Sequence, residues 1–324
     1  MAIEGTVRKM ALFAALTFSA LAWAQEYPSR PVKLVVSVPP GGSVDSIGRL
    51  MAEKLRQALG QPFVVDNRPG ASSNVGLESV YRAEPDGYTL LFSPGAPLVI
   101  NKSLFAKLAF DPEALLPVSI VATNPVVLIS NPKLPAESIQ QLIDTARANP
   151  GRVTFASGGS GGMPHLSAEL FQSMAGVRML HVPYKGVAPA MTGLLGGQVD
   201  LMFVDISTAL PHVRSGKLRV LAVASERRNP ALPTTPATVE MLPGLYSETW
   251  FGMAAPPKTP SAIIDKLSKT VASILKQPDV TKQLLDMGNI EAIGSTPEQM
   301  ASFMKREIER WGRVIRATGA TADQ

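Results

Sequence analysis

Apolar, β-branched runs alternate with amphipathic segments along this chain, beginning with Leu34 to Val38, then Val44 to Leu59, then Phe63 to Val65. A run apolar at nearly every position fits a strand buried on both faces, whereas apolar residues spaced by three and four fit one face of a helix. In the second segment Val44, Ile47, Leu50, Met51, Leu55 and Leu59 hold that spacing and leave Arg49, Glu53, Lys54 and Arg56 to solvent. Repeated, the alternation reads as βαβ units and parallel sheets, so the chain is predicted to be α/β.

The same patterns predict strands at Tyr88 to Phe92, Val118 to Ala122, Val126 to Ser130, Val153 to Ala156, Met179 to Val182, Leu201 to Val204, Val220 to Ala224 and Phe251 to Ala255. Helices are predicted at Glu137 to Asn149, Pro164 to Ala175, Ala188 to Leu195 and Pro260 to Leu275. The last helix carries its own start signal: Thr296 as N-cap, Pro297 at the first helical position and Gln299 completing a capping box, followed by apolar residues from Met300 to Ile315. It should run to about Ala317.

Two places look like crossings between lobes. The apolar run Val118 to Ile129 is long for one strand and is interrupted at Asn124-Pro125, where proline removes a ladder donor. The tract Asn229 to Gly244 holds Pro230, Pro233, Pro236 and Pro243, cannot be regular helix, and reads as the return connection. The expected division is residues 25–123 plus 227–324 for one lobe and 124–226 for the other.

Two glycine-rich turns each follow a predicted strand and precede a helix: Pro39-Pro40-Gly41-Gly42-Ser43-Val44-Asp45, and Ser157-Gly158-Gly159-Ser160-Gly161-Gly162-Met163-Pro164. Free backbone N–H groups at the positive end of a helix dipole favour an anion. In this reading Ser43, Ser157 and Ser160 donate hydrogen bonds, while Gly41, Gly42, Gly161 and Gly162 allow close backbone approach. Either turn alone also fits a tight βα connection, and neither matches a nucleotide-binding glycine pattern. Asp45, in the first helical turn, suits the dipole but would repel a carboxylate ligand unless it turns away, binds water or meets an ammonium group.

Gly158 to Gly162 also satisfies G-x-S-x-G, with Asp200 or Asp205 and then His212 in the order of a hydrolase triad, so the rival reading is an exported serine esterase using Ser160. Five glycines and serines in a row meet that pattern by composition alone. The three histidines, His165, His181 and His212, show no metal-ligand spacing, so no metal or cofactor is expected.

Composition adds the compartment. Arg8 and Lys9 precede an apolar run from Met10 to Trp23, with Ala22-Trp23-Ala24 as a cleavage site before Gln25. The run is shorter than the roughly 20 residues that span a bilayer, so residues 1–24 are expected to be a removed export signal and not an anchor. The absence of cysteine excludes disulfides, thiolate chemistry and a lipoprotein anchor. A net charge of +5 without dense Lys/Arg clusters fits small anions better than nucleic acid.

Taken in order, Tyr27-Pro28-Ser29-Arg30-Pro31, Pro39-Pro40-Gly41-Gly42 with Asp45, Asn67-Arg68-Pro69-Gly70-Ala71, Pro85-Asp86-Gly87-Tyr88-Thr89-Leu90, His181-Val182-Pro183-Tyr184-Lys185-Gly186 and Leu195-Gly196-Gly197-Gln198-Val199-Asp200 resemble the extracytoplasmic receptors of tripartite tricarboxylate transporters, the Bug receptors. The resemblance covers essentially the whole chain after residue 24. It implies a two-lobed periplasmic binding protein of the Venus-flytrap, type II-like kind, each lobe a mainly parallel sheet flanked by helices. Such a protein, acting as a monomer, closes on a small carboxylate or amino-acid-like ligand and delivers it to the membrane subunits of a transporter. The resemblance adds Ser93, after Thr89 to Phe92, and Asp205 to the cleft, the latter at the distal ligand end or on bound water. Where such receptors often have Thr-Pro-Pro-His after the second glycine turn, this chain has Gly162-Met163-Pro164-His165, which removes one hydroxyl donor.

Overall fold

A computed structural model of the chain describes residues 27–159, 162–319 and 321–322. The expected export segment, and Ser160 and Gly161 of the second glycine turn, lie outside the described residues.

The chain begins β1 (Val32–Val36), α1 (Ser43–Leu59), β2 (Phe63–Asn67), α2 (Asn74–Tyr81), β3 (Thr89–Pro94) and α3 (Ala96–Leu104). β2 and β3 flank β1 and run parallel to it, as helical crossovers require. α1 buries Ile47, Met51 and Leu55 in one cluster with Val32, Leu34 and Val36, the face its spacing predicts. It ends at Gly60, whose φ of 73° costs no Cβ clash.

β4 (Leu116–Ser130) has 15 residues. At about 3.3 Å per residue it is long enough to serve two sheets. From Leu116 to Pro125 it pairs with β9 (Glu248–Ala255); from Val126 onward it pairs with β7 (Leu201–Asp205) and, on its other edge, β8 (Arg219–Val223). The break expected at Asn124-Pro125 is therefore absent. Pro125 falls at the residue where β4 exchanges β9 for β7, a place where the ladder can spare its missing donor.

The first half of the sheet has the order β2-β1-β3-β9-β4, with β10 (Glu291–Ala292) also on β4. The second has β4 with β8, then β7, β5 (Thr154–Ser157) and β6 (Leu180–Pro183). Each half is mixed and not mainly parallel: β2-β1-β3 and β6-β5-β7 are parallel, but every pairing made by β4 is antiparallel. The reason is that the chain crosses between halves along β4 and comes back along β9 in the opposite direction. The second half also carries α4 (Ile139–Ala148), α5 (Met163–Ala175), α6 (Val187–Gly196) and α7 (Ile206–Arg214).

The proline-rich tract is not the return crossing that its composition suggested. Ala231 and Leu232 pack against the cluster of Met202, Val204 and Val223, and the Val223 N–H donates to the Pro236 carbonyl. Apolar residues interleaved with the prolines give the tract a face to bury on the second half. The chain returns only after Ser247, whose N–H still bonds Ala224, and enters β9 at Glu248.

After β9 come α8 (Ser261–Leu275), α9 (Pro278–Asp286) and α10 (Pro297–Thr318). The Thr296/Gln299 capping box of α10 forms as read from sequence. Met300, Met304, Trp311 and Ile315 are buried, and α10 packs on α3, β4 and α5, touching both halves. No helix among the described residues is long and apolar enough to cross a membrane.

Candidate functional site

A cavity of 440 Å³ lies where the halves meet, lined by Ser43 and Val44 of α1, Ser72 and Ser73 before α2, Ala96 and Pro97 of α3, and Gly162, Met163 and Pro164 at the start of α5. Four helix N-termini thus converge on one hollow. Ser43 and Val44 of α1 and Met163 of α5 bring free N–H groups of the kind a bound anion needs, whereas the Asn74 and Val75 N–H groups of α2 already bond the Ala71 and Gly70 carbonyls and Pro97 and Pro164 have none; no Lys, Arg or His lines the cavity among the described residues. A larger hollow of 710 Å³ behind the crossing strands is lined by residues such as Glu226, Arg227, Arg228 and Glu291 and contains no helix N-terminus.

The floor of the smaller cavity comes from the place where β4 changes partners. Asp205 ends β7 opposite Val126, and Glu248 begins β9 opposite Pro125. The Thr249 hydroxyl donates to Asp205 Oδ1 at 2.6 Å, which ties the start of β9 to the end of β7 across the point where β4 changes partners. Burial pushes the Asp205 carboxyl up to about 6, with the Thr249 bond opposing. Burial, followed by the nearby Glu291, Glu226 and Glu307, pushes Glu248 up to about 7, with Arg227 opposing. Trp250 also lines the cavity, wedged against Gly95, where any Cβ would strike the indole. Its Nε1–H is buried and has no acceptor among the described residues.

The first glycine turn is anchored through Asp45, which faces away from the cavity. Asp45 Oδ2 accepts from the Gly41 N–H at 3.0 Å and from Arg49 Nε at 2.9 Å, and Oδ1 accepts from Asn67 Nδ2 at 2.8 Å. Burial alone would raise its pKa, but these hydrogen bonds outweigh burial and leave it below the usual carboxylate value. Asn67, at the end of β2, is thus a structural partner of the first glycine turn. Pro40, Gly41 and Gly42 are exposed beside the cavity and do not line it.

The second turn is anchored through Ser157, buried at the end of β5. Its hydroxyl donates to the Gly159 carbonyl at 2.9 Å, accepts from the Gly159 N–H at 3.2 Å, and lies 2.7 Å from His181 Nε2. His181 stacks near-parallel on both Phe155 and His165, with ring centroids 4.8 Å and 4.1 Å away, and those two rings lie 6.3 Å from each other, so the three form a compact cluster. Burial, and then the neighbouring His165, lower the His181 pKa to about 4, with Glu169 opposing. Ser93 is also enclosed, accepting from Ser37 and donating to the Pro94 carbonyl. Of the expected residues, then, the cavity gathers Ser43, Gly162 and Asp205; Asp45, Ser93 and Ser157 hold its loops from behind.

Ser72, Ser73, Asn101, Glu248, Thr249 and Trp250 line the site without having been expected. No local pattern in the sequence marked them; the turn before α2 is a structural feature. Ala71, Ser72 and Ser73 have φ of 45°, 51° and 72°, a run of left-handed residues without glycine after Pro69-Gly70. Asn101 stabilises this strained loop, donating from Nδ2 to the Ser72 carbonyl and to Asn74 Oδ1. The residues of the esterase reading are dispersed. Asp200 accepts from the Thr154 N–H and hydroxyl, Asp205 from Thr249, and His212 sits in the last turn of α7 with neither carboxylate bonded to it.

The family model for a "Tripartite tricarboxylate transporter family receptor" matches residues 47–320. This chain belongs to that family. The receptor is 40% identical over 300 residues to protein BugT of Bordetella pertussis, covering 92% of each chain. Among solved structures it is similar to an adipate-bound protein of R. palustris, with 34% identity, a TM-score of 0.80, and coverage of 91% of this chain and 99% of that one. It is likewise similar to MatC from Rhodopseudomonas palustris with bound malate, with 31% identity, a TM-score of 0.77, and coverage of 89% and 100%.

Proposed function

We propose that this receptor works in the periplasm, captures a small carboxylate in the 440 Å³ cavity and passes it to the membrane subunits of its transporter. The carrying observation is the convergence of the α1, α2, α3 and α5 N-termini on one hollow that has no cationic side chain in its lining among the described residues. Each N-terminus favours an anion by about 0.3 to 2 kcal/mol, and charge-assisted hydrogen bonds contribute about 1.5 to 3 kcal/mol apiece before ordering and desolvation costs. Together they are sufficient for affinity of about a micromolar, near −8 kcal/mol. The adipate and malate held by similar receptors support the ligand class.

In this reading the two lobes are residues 27–125 with 248–319, and residues 126–247, rotating closed about the point where β4 changes partners. The protein acts as a monomer and without catalysis, and leaves the cytoplasm on a leader cut after Ala24. Ser160 and Gly161 complete the second turn's contacts to the carboxylate.

A thermal-shift screen of mono-, di- and tricarboxylates, amino acids and aromatic acids is expected to find at least one stabilising acid. Gly162→Val adds bulk at the cavity wall, where a Cβ meets nothing closer than 3.8 Å in the protein, and should abolish that shift in a folded protein. Unchanged binding by Gly162→Val would remove the site.

A further inference from the structure

The cavity presents two chemically different surfaces. One is the set of helix N-termini, which offers donors. The other is the floor at the strand exchange, where Asp205 offers an acceptor. Asp205 Oδ1 is occupied by the Thr249 hydroxyl, and Oδ2 has no donor among the described residues. Glu248 lines both hollows, and the charged groups around it, Glu226, Arg227 and Glu291, line the larger one, so the acceptor that belongs to the smaller cavity is Asp205. An ionised carboxylate is acceptor-only, so a second ligand carboxylate set against this floor would meet like charge and unpaired acceptors. No Lys, Arg or His of the lining stands ready to compensate. An ammonium or hydroxyl in the same place would instead donate to Asp205 Oδ2.

We infer that this receptor selects a ligand with one carboxylate and, at a distance from it, a hydrogen-bond donor directed at Asp205, over the dicarboxylate of matched length. The apolar walls supplied by Pro94, Ile100, Met163, Val187 and Phe251 suit a hydrocarbon or aromatic body between the two ends. The inference rests on the carboxylate-binding reading above and narrows it.

Titration calorimetry tests it at pH 7.5, where Asp205 is largely ionised. The probes are ω-amino, ω-hydroxy and α,ω-dicarboxylic acids of about four to eight carbons, with amino- and hydroxybenzoates against benzenedicarboxylates, sizes suited to such a cavity. The tightest donor-bearing monoacid should exceed its matched diacid by about tenfold or more, because the diacid leaves buried acceptors unpaired. Asp205→Asn keeps the shape and the Thr249 bond while removing the charge, and should narrow the preference to within about threefold. Repeating the wild-type titration at pH 5, where Asp205 is mostly protonated, should narrow it in the same direction without any mutation. A matched diacid that binds wild type as tightly as the donor-bearing acid, or a preference that Asp205→Asn and pH 5 both leave intact, overturns the inference while sparing the carboxylate reading. If no acid of either series binds, both fall together. Amino acids winning over hydroxy acids identifies an ammonium as the donor, and the reverse identifies a hydroxyl.

Discussion

The two glycine turns look alike in sequence and are built on opposite physical principles. The first is braced by charge: Asp45 gathers the Gly41 N–H, the Arg49 guanidinium and the Asn67 amide, with Arg49 half exposed. The second is braced by neutral, stacked rings: the Ser157 hydroxyl bonds the turn on one side and His181 on the other, and His181 packs near-parallel to both Phe155 and His165. A glycine-rich turn is only as well defined as whatever holds it, and these two holds respond differently to solvent. The Asp45 brace is lost only when its carboxyl is protonated, at the acidic end of the range. At His181 the cost of acid is the buried charge: Nε2–H still donates to Ser157 after protonation, but the imidazolium is enclosed beside His165 and destabilises the packing around the turn.

The largest expected difference comes from removing the hub of each brace. His181→Ala deletes a ring from the stack and strands the Ser157 hydroxyl, which should cost about 3 kcal/mol in urea unfolding. His181→Phe, which keeps the stack and loses only the Ser157 bond, should cost about half as much, separating packing from hydrogen bonding. Asp45→Ala should cost about 2 kcal/mol through its lost charge-assisted bonds, and raised salt should weaken the wild-type brace toward the mutant. Equal salt sensitivity of the two turns would break the contrast.

Asp205→Asn should stabilise the ligand-free protein by about 2 kcal/mol at pH 8. The folded carboxyl titrates at about 6, above its ordinary value near 4, so the native state binds more protons across that interval and loses stability as pH rises through it. The gain from Asn is therefore complete above pH 6 and absent below about pH 4. Chemical denaturation at several pH values reads this out.

A smaller effect concerns His181, whose pKa is depressed to about 4. Its neutral form contributes stability in full above the ordinary histidine value near 6.5, and that contribution is lost as pH falls toward 4. Amide exchange from pH 7 to pH 5 should speed up around residues 157–159 and stay constant, after correction for the intrinsic rate, around 41–46. The smallest effect separates the turns sterically. Gly42→Ala enters open space and should change stability by a few tenths of a kcal/mol, whereas Gly158→Ala drives a Cβ to 3.0 Å from the Val187 nitrogen and should cost about 1 to 2 kcal/mol.

Much of this molecule was legible before folding. The periodicity of Ile47, Met51 and Leu55 named the buried face of α1, and Thr296 with Gln299 named the start of α10. The long run Val118 to Ile129 named the crossing strand, and strand–glycine–helix order named two glycine turns at helix starts. What failed was the return crossing at 229–244, because composition reports that a segment is irregular but not which surface buries it. The N-termini of α2 and α3 were missed because their signals, the left-handed Ala71 to Ser73 and the helix after Gly95, depend on contacts from Asn101 and Trp250.

By itself the sequence determined the α/β class, the positions of most elements and the presence of two donor-rich turns, since all of these follow from interactions within a few residues. Only the tertiary structure decided which side chains face the cavity. It turned Asp45, Ser93 and Ser157 inward as braces and brought Asp205 against Thr249 at the floor. The physical reason is register: Asp205 and Thr249, distant in the chain, meet only because β7 pairs β4 as far as Val126 and β9 pairs it from Pro125. No local pattern encodes that meeting.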